Sequence, residues 1–152
     1  MSSFGAHLPP ELLRPRIEAS LKPGCVIKLL VKFPEKTKEK FLVLVADDDP
    51  DYLTFLVNSG INPFIANRPH LNQCQVAIDA TNHDFLDYES HIACHEILPM
   101  KREEVIKALM ADPAGIKGEV SSDVRIQIMA AVKFAKTIEK DKKNRIIAAM
   151  ED

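Results

Sequence analysis

Residues 80–97 hold the densest set of side chains that could take part in chemistry. This segment contains three of the five histidines, one of the three cysteines and four acidic residues. An imidazole titrates near neutral pH, so His91 and His95 are candidates for moving a proton. No complete catalytic motif occurs in the segment or elsewhere in the chain, and neither a phosphate-binding glycine loop nor a nucleophile elbow is present.

The same segment allows a metal interpretation and a thiol interpretation. It supplies six side chains of ligand type within thirteen residues: His83, Asp84, Asp87, His91, Cys94 and His95. The order of the last of these residues, however, matches no zinc protease signature. Cys94 and His95 are neighbours, and neighbours in a strand point to opposite faces, so they cannot share a proton. We therefore expect no metal, no cofactor and a buried cysteine.

Composition restricts the class of protein. The chain has 152 residues, is 46% hydrophobic and 28% charged, and has a formal net charge of −2. These values predict one self-folding domain and indicate no general attraction to nucleic acid or to membranes. An odd number of cysteines without CxxC spacing, and a start without the regions of a signal peptide, favour the reducing cytoplasm. No apolar run is long enough to span a membrane.

Five segments rich in β-branched and aromatic residues predict strands: residues 25–33, 41–46, 52–57, 75–80 and 89–98. In the fifth, His91 and His95 would share one face. The charged residues 34–40 predict a loop, and the aspartates of residues 47–51 predict an acidic turn rather than a metal cluster. Residues 58–62 are expected to form a turn, or else a polar rim that orients a ligand. The short links between these strands predict a small barrel or strongly curled sheet.

Helical patterns flank the strands. Residues 8–21 predict a short helix broken at Pro15, and residues 101–110 predict another. Residues 118–123 offer caps for a longer helix whose apolar stripe is Val124, Ile128, Ala131, Val132, Ala135 and Ile138. This stripe must be buried, either on the barrel or on a second copy. The cations between Lys136 and Arg145 are expected at the C-terminal end of this helix, where they complement the macrodipole.

The order of these elements resembles the PemK/MazF family of plasmid-maintenance and toxin-antitoxin toxins. Residues 23–27, 40–45 and 87–97, followed by the helical residues 102–105, carry the resemblance. It covers residues 23–138. The resemblance implies a mainly β, α+β fold: an SH3-like antiparallel barrel over residues 23–99, with a lead-in over residues 1–22 and a helical tail over residues 100–150. All of residues 1–152 would belong to one domain.

The resemblance also implies a function. Active members of the family are usually dimers that cut single-stranded RNA without a metal and are neutralised by an antitoxin. They use an arginine at the start of the second strand and a hydroxyl near the end of the barrel. Here Lys40 and Phe41 stand where the arginine and the usual proline would be, and residues 96–99 end in Pro99 rather than a hydroxyl. A lysine places one positive charge but lacks the planar fork that grips a phosphate.

Two functions follow as alternatives. The leading one is a toxin-type protein that acts on single-stranded RNA with reduced or lost activity. In that case Lys40 would stabilise the developing charge, and His91 or His95 would take the 2′-hydroxyl proton. The rival is a non-catalytic barrel that binds an antitoxin, another protein or a peptide. A homodimer formed partly by the terminal helix is expected in the first case.

Overall fold

The computed structural model describes residues 8–151, so the first seven residues of the predicted lead-in lie outside the described range. The helices are α1 (Pro10–Ser20), α2 (Pro63–Ala66), α3 (Pro69–Gln73), α4 (Arg102–Ala111), α5 (Ser122–Phe134) and α6 (Lys140–Glu151). The strands are β1 (Cys25–Lys32), β2 (Thr37–Asp48), β3 (Asp51–Asn58), β4 (Gln75–Ile78), β5 (Ser90–Ala93), β6 (Leu98–Lys101) and β7 (Ile116–Glu119). No helix in residues 8–151 is both long and apolar enough to cross a membrane.

All the strand pairs in the described range are antiparallel, and their order is β4-β5-β3-β2-β1-β7, with β6 also on β3. The first half of β3 pairs with β6, and its last residues, Val57 and Asn58, pair with β5. The register between β2 and β3 shifts between Leu44 and Ala46, which bends the two strands. The result is a curled half-barrel with helices on it, which confirms the predicted mixed fold.

Alternating side chains of the long strands enter two separate hydrophobic cores. Val43 and Phe55 belong to a core that α5 and α6 cover, whereas Leu42 and Leu44 belong to a core that α1 and α4 cover. The predicted apolar stripe of Val124, Ile128, Ala131, Val132, Ala135 and Ile138 is buried in the first core. The stripe was expected to pack either on the barrel or on a second copy of the protein, and it packs on the sheet of the same chain.

Several element boundaries differ from the prediction. The predicted loop over residues 34–40 is wrong from Thr37 onward, because Thr37 pairs with Lys32 and extends the hairpin beyond the core. Side chains at such a hairpin tip are solvated on both faces, so they show no apolar alternation. The sequence does not predict β6 or β7, since each has only four residues and contains one that disfavours a strand, Pro99 in β6 and Gly118 in β7. The break at Pro15 is also wrong: α1 runs through it.

The cations between Lys136 and Arg145 were expected at the C-terminal end of a helix, but most of them lie at the N-terminal end of the next helix. The predicted long helix ends at Phe134, and α6 begins at Lys140. Lys136 therefore lies between the two helices, and Lys140, Lys142, Lys143 and Arg145 lie in the first turns of α6, where the macrodipole does not favour cations. Lys142 donates to Asp48, and Arg145 Nε lies 3.1 Å from the same carboxylate. The hydrogen bond from Lys142 is the main cause of the lowered pKa of Asp48.

Candidate functional site

A cavity with a volume of about 1040 Å³ opens beside β2, β3 and the loop after β5. It brings together Lys40 and His95, two of the three predicted site residues, but not His91. Its charged lining comprises Lys38, Lys40, Lys142, Asp48, Asp51, Glu96 and Glu139. Residues 58–62 all line it, so the segment predicted as a turn or polar rim lies at a cavity wall. With more carboxylates than lysines, this cavity as a whole does not favour an anion.

Lys40 is held in place by a cross-strand partner. Phe41 lies opposite Val57, so the preceding Lys40 lies opposite Asn58, and Lys40 Nζ donates to Asn58 Oδ1 at 2.7 Å. Burial, with a smaller contribution from the nearby charge of Lys38, lowers the pKa of Lys40. A half-buried ammonium fixed in this way is poised to contact an acceptor that enters the cavity.

His95 lies in a turn rather than in a strand. β5 ends at Ala93, so the prediction that His91 and His95 share one face of a fifth strand is wrong. The turn is held because the Thr137 hydroxyl donates to the backbone oxygen of His95. The amide nitrogen of Gln75 lies 2.9 Å from His95 Nδ1 and also donates to Leu71 O at 3.0 Å.

The Gln75 contact selects one tautomer of His95. Since Gln75 donates, Nδ1 is the acceptor, and the proton of the neutral ring is on Nε2. Burial lowers the pKa of His95, against a smaller opposite effect of Glu96. In this arrangement His95 presents an N–H donor, not a general base.

His91 is separated from Lys40 and His95. It lies opposite Asn58 on the other side of β3, so Asn58 stands between Lys40 and His91 in one row across three strands. His91 does not line the cavity that Lys40 and His95 share. The described geometry therefore does not assemble a lysine and two histidines into one catalytic group.

A second cavity of about 530 Å³ adjoins the first, because Lys38, Lys40 and Ser59 line both. Its charged lining comprises Lys28, Lys38, Lys40, Lys117, Glu39 and Asp87. Three aromatic rings also line it, from Phe41, Phe85 and Tyr88. Tyr88 is 61% exposed, and Lys28 Nζ lies 5.4 Å from the centre of the Phe41 ring. This site leaves no pattern in the sequence, because its rings come from β2 and from the distant loop between β4 and β5.

The remaining chemical side chains of residues 80–97 have structural roles. His83 is buried; its Nδ1 lies 2.8 Å from Asp79 O, and its Nε2 accepts from Ser121 N–H at 3.0 Å. Among residues 8–151, no three His, Cys, Asp or Glu side chains are grouped as a metal site requires. All three cysteines are free and buried, and burial raises the pKa of Cys94 well above its ordinary value. Cys94 is thus a core thiol.

Comparison with known proteins gives a weak structural likeness. No protein-family model and no curated protein matches the chain. Its structure is similar to a crystal structure of MazE-MazF (form III) from Deinococcus radiodurans, with 9% sequence identity and a TM-score of 0.48. The match covers 73% of this chain and 91% of the other. A likeness at this level assigns no activity to the chain.

Proposed function

We propose that this protein binds single-stranded RNA in the smaller cavity, as a toxin-type barrel with little or no cleavage activity. The observation that carries the proposal is the lining of that cavity, where four lysines and two carboxylates surround three aromatic rings. Proteins that bind single strands combine cations along the backbone with rings on which bases stack. Tyr88 supplies an exposed ring, and Lys40 supplies a fixed cation at the junction of the two cavities.

The proposal excludes efficient cleavage for a chemical reason. Removal of the 2′-hydroxyl proton needs an acceptor next to the bound ribose. His91 lines neither cavity, and Nδ1 of His95 is occupied by the Gln75 amide. Lys40 alone stabilises charge without taking the proton.

Binding is tested by fluorescence anisotropy with a labelled single-stranded RNA of about twelve nucleotides. Lys40→Ala should weaken binding about tenfold, since a charge-assisted hydrogen bond is lost. It should also reduce the slope of log K against log salt concentration by about 0.7, which is the contribution of one phosphate contact on a single strand. Lys107→Ala removes an exposed lysine from α4, outside both cavities, and should leave binding unchanged.

Stacking is tested separately. Tyr88→Ala should weaken binding about tenfold, within the range measured for loss of one base-stacking ring. The matched control is Phe134→Ala, which removes another exposed ring that lines neither cavity. Equal affinities of wild type, Lys40→Ala and Tyr88→Ala would contradict the proposed site.

Cleavage is tested by incubating the protein with a long single-stranded RNA, with and without chelator. We expect intact RNA for the wild type under both conditions. Cleavage that survives chelator and disappears in Lys40→Ala or His91→Ala would contradict the loss of activity and would support a metal-free ribonuclease.

A second candidate function is supported by the larger cavity. Carboxylates outnumber lysines there, and its apolar lining comprises Leu53, Leu56, Ile61, Phe64, Ile65, Leu71, Ala93, Ile97, Pro99 and Ile138. Such a mixed surface suits a peptide segment of a protein partner better than a phosphate chain. Selection from a random peptide library, followed by affinity measurement on Phe64→Ser, tests this. Selected peptides that bind Phe64→Ser as well as wild type would place the interaction elsewhere.

A further inference from the structure

The outer edge of β1 is only partly covered. β2 pairs with β1 from Val26 to Lys32, but β7 pairs only with Cys25, Val26 and Ile27 on the other side. Within residues 8–151, no strand pairs with residues 28–32 on that side. The chain at Gly115 lies against the start of this edge, since a Cβ there would be 3.0 Å from Lys28 O. Beyond it, the backbone N–H and C=O groups of the edge can accept another strand.

The side chains of this edge have a definite pattern. Leu29 and Val31 are buried in the core beneath α1 and α4, so Lys28, Leu30 and Lys32 point to the other face. Leu30 is 65% exposed, the highest value among the exposed large apolar side chains of the described range. The edge therefore presents an apolar residue between two lysines that are about 13 Å apart along the strand.

We propose that this edge, residues 28–32, binds an acidic extended segment of a partner protein by strand addition. The segment would place acidic residues near Lys28 and Lys32 and an apolar residue near Leu30, while its backbone extends the sheet beyond β1. Lys117 of β7 lies with Lys28 along the smaller cavity and adds positive charge on the same side. Because Lys28 also lines the smaller cavity, Lys32, which lines neither cavity, is the residue that tests the edge separately from RNA binding.

Charge decides between an acidic partner and a second copy of this chain. Twofold antiparallel pairing of two β1 edges centred on Leu30 would place each Lys28 opposite Lys32 of the other copy. Like charges directly opposite each other destabilise a strand pair. Opposite charges in the same positions stabilise it, so the pattern that prevents self-pairing selects an acidic strand.

The test uses two labelled eight-residue peptides that contain Glu-x-Val-x-Glu or Lys-x-Val-x-Lys, where x is threonine. Anisotropy titrations should show binding of the glutamate peptide and at least about tenfold weaker binding of the lysine peptide. Lys32→Glu should abolish this preference, because each peptide then meets one opposite charge and one like charge on the edge. Lys32 is exposed and forms no ion pair in the described range, so this variant should fold as the wild type does.

Two further measurements distinguish strand addition from simple charge attraction. Proline at the central position of the glutamate peptide removes a backbone donor and should abolish binding. Hydrogen exchange should show new protection of backbone amides within residues 28–32 when the glutamate peptide is present.

The proposal is overturned if the glutamate peptide does not bind, if the lysine peptide binds equally well, or if Lys32→Glu leaves the preference unchanged. It is also overturned if the proline peptide binds like the parent peptide, or if residues 28–32 are already protected in a dimer of the protein alone.

Discussion

Lys40 and Asn58 face each other across β2 and β3, and the lysine ammonium donates a 2.7 Å hydrogen bond to the amide oxygen of Asn58. This contact fixes a cation at the point where two cavities adjoin. On the other side of β3, His91 lies opposite the same asparagine but lines neither cavity. The position of Lys40 therefore depends on a residue that takes no direct part in the proposed chemistry.

The first prediction concerns Asn58. Asn58→Asp replaces the amide by a carboxylate that forms an ion pair with Lys40 and repels phosphate. We expect RNA affinity to fall about tenfold, the equivalent of one charge-assisted contact. Asn144→Asp adds the same charge on an exposed part of α6, outside both cavities, and should have little effect. If Asn58→Asp binds RNA like the wild type in anisotropy titrations, Lys40 is not a phosphate contact.

The second prediction is a pH dependence of stability. Burial lowers the pKa of His95 below its ordinary value of 6.5, so the unfolded chain takes up this proton at a higher pH than the folded chain. The contribution of neutral His95 to the free energy of unfolding is complete above pH 6.5. It decreases as the pH falls through that value and is lost below the pKa of His95 in the folded chain. Urea unfolding at pH 7.5, 6.5 and about 5.5 measures it. His95→Gln should show a smaller decrease than wild type over this range, and an equal decrease would refute the assignment.

The third prediction concerns His83, which sequence reasoning offered as a metal ligand. Its side chain is 2% exposed and accepts from the N–H of Ser121, the N-cap of α5. His83→Ala leaves that donor unpaired and opens a cavity, so the free energy of unfolding should fall by about 2 to 3 kcal/mol. Chelator should not change the stability of the wild type. A metal-dependent unfolding midpoint would instead restore the ligand interpretation.

The fourth prediction tests what covers α5. Ile128 is fully buried under this chain's own sheet, whereas Ile126 on the same helix is 60% exposed. Ile128→Ala should lower the free energy of unfolding by about 3 kcal/mol, and Ile126→Ala by less than about 0.5 kcal/mol. Neither effect should depend on protein concentration.

The homodimer, which the family resemblance implies, remains a prediction, and the apolar stripe that could have formed its interface is buried within one chain. Light scattering during size-exclusion chromatography measures the mass directly. A dimer that Ile126→Ala dissociates would show that the exposed side of α5 is the interface.

Local pattern in the sequence was sufficient for the buried strands and for the apolar face of α5. Residues 41–46 and 52–57 lie within β2 and β3, because short segments rich in β-branched, aromatic and other apolar residues favour buried strands. Val124 and Ile128 recur at helical spacing, and both are buried. The same reasoning failed for Thr37–Lys40 and for β7, where backbone pairing with β1 forms the strand without apolar alternation.

The candidate site was only partly accessible from the sequence. Residue type alone identified Lys40 and His95 as chemical groups, and both line the same cavity. Tertiary structure decided everything that sets their chemistry: Asn58 binds Lys40, Gln75 selects the tautomer of His95, and β5 ends before His95 so that His91 is separated from it. These outcomes depend on strand register and on where a turn begins. A hydrogen-bond partner that pairing brings from 18 or 20 positions away leaves no periodic signal in the chain.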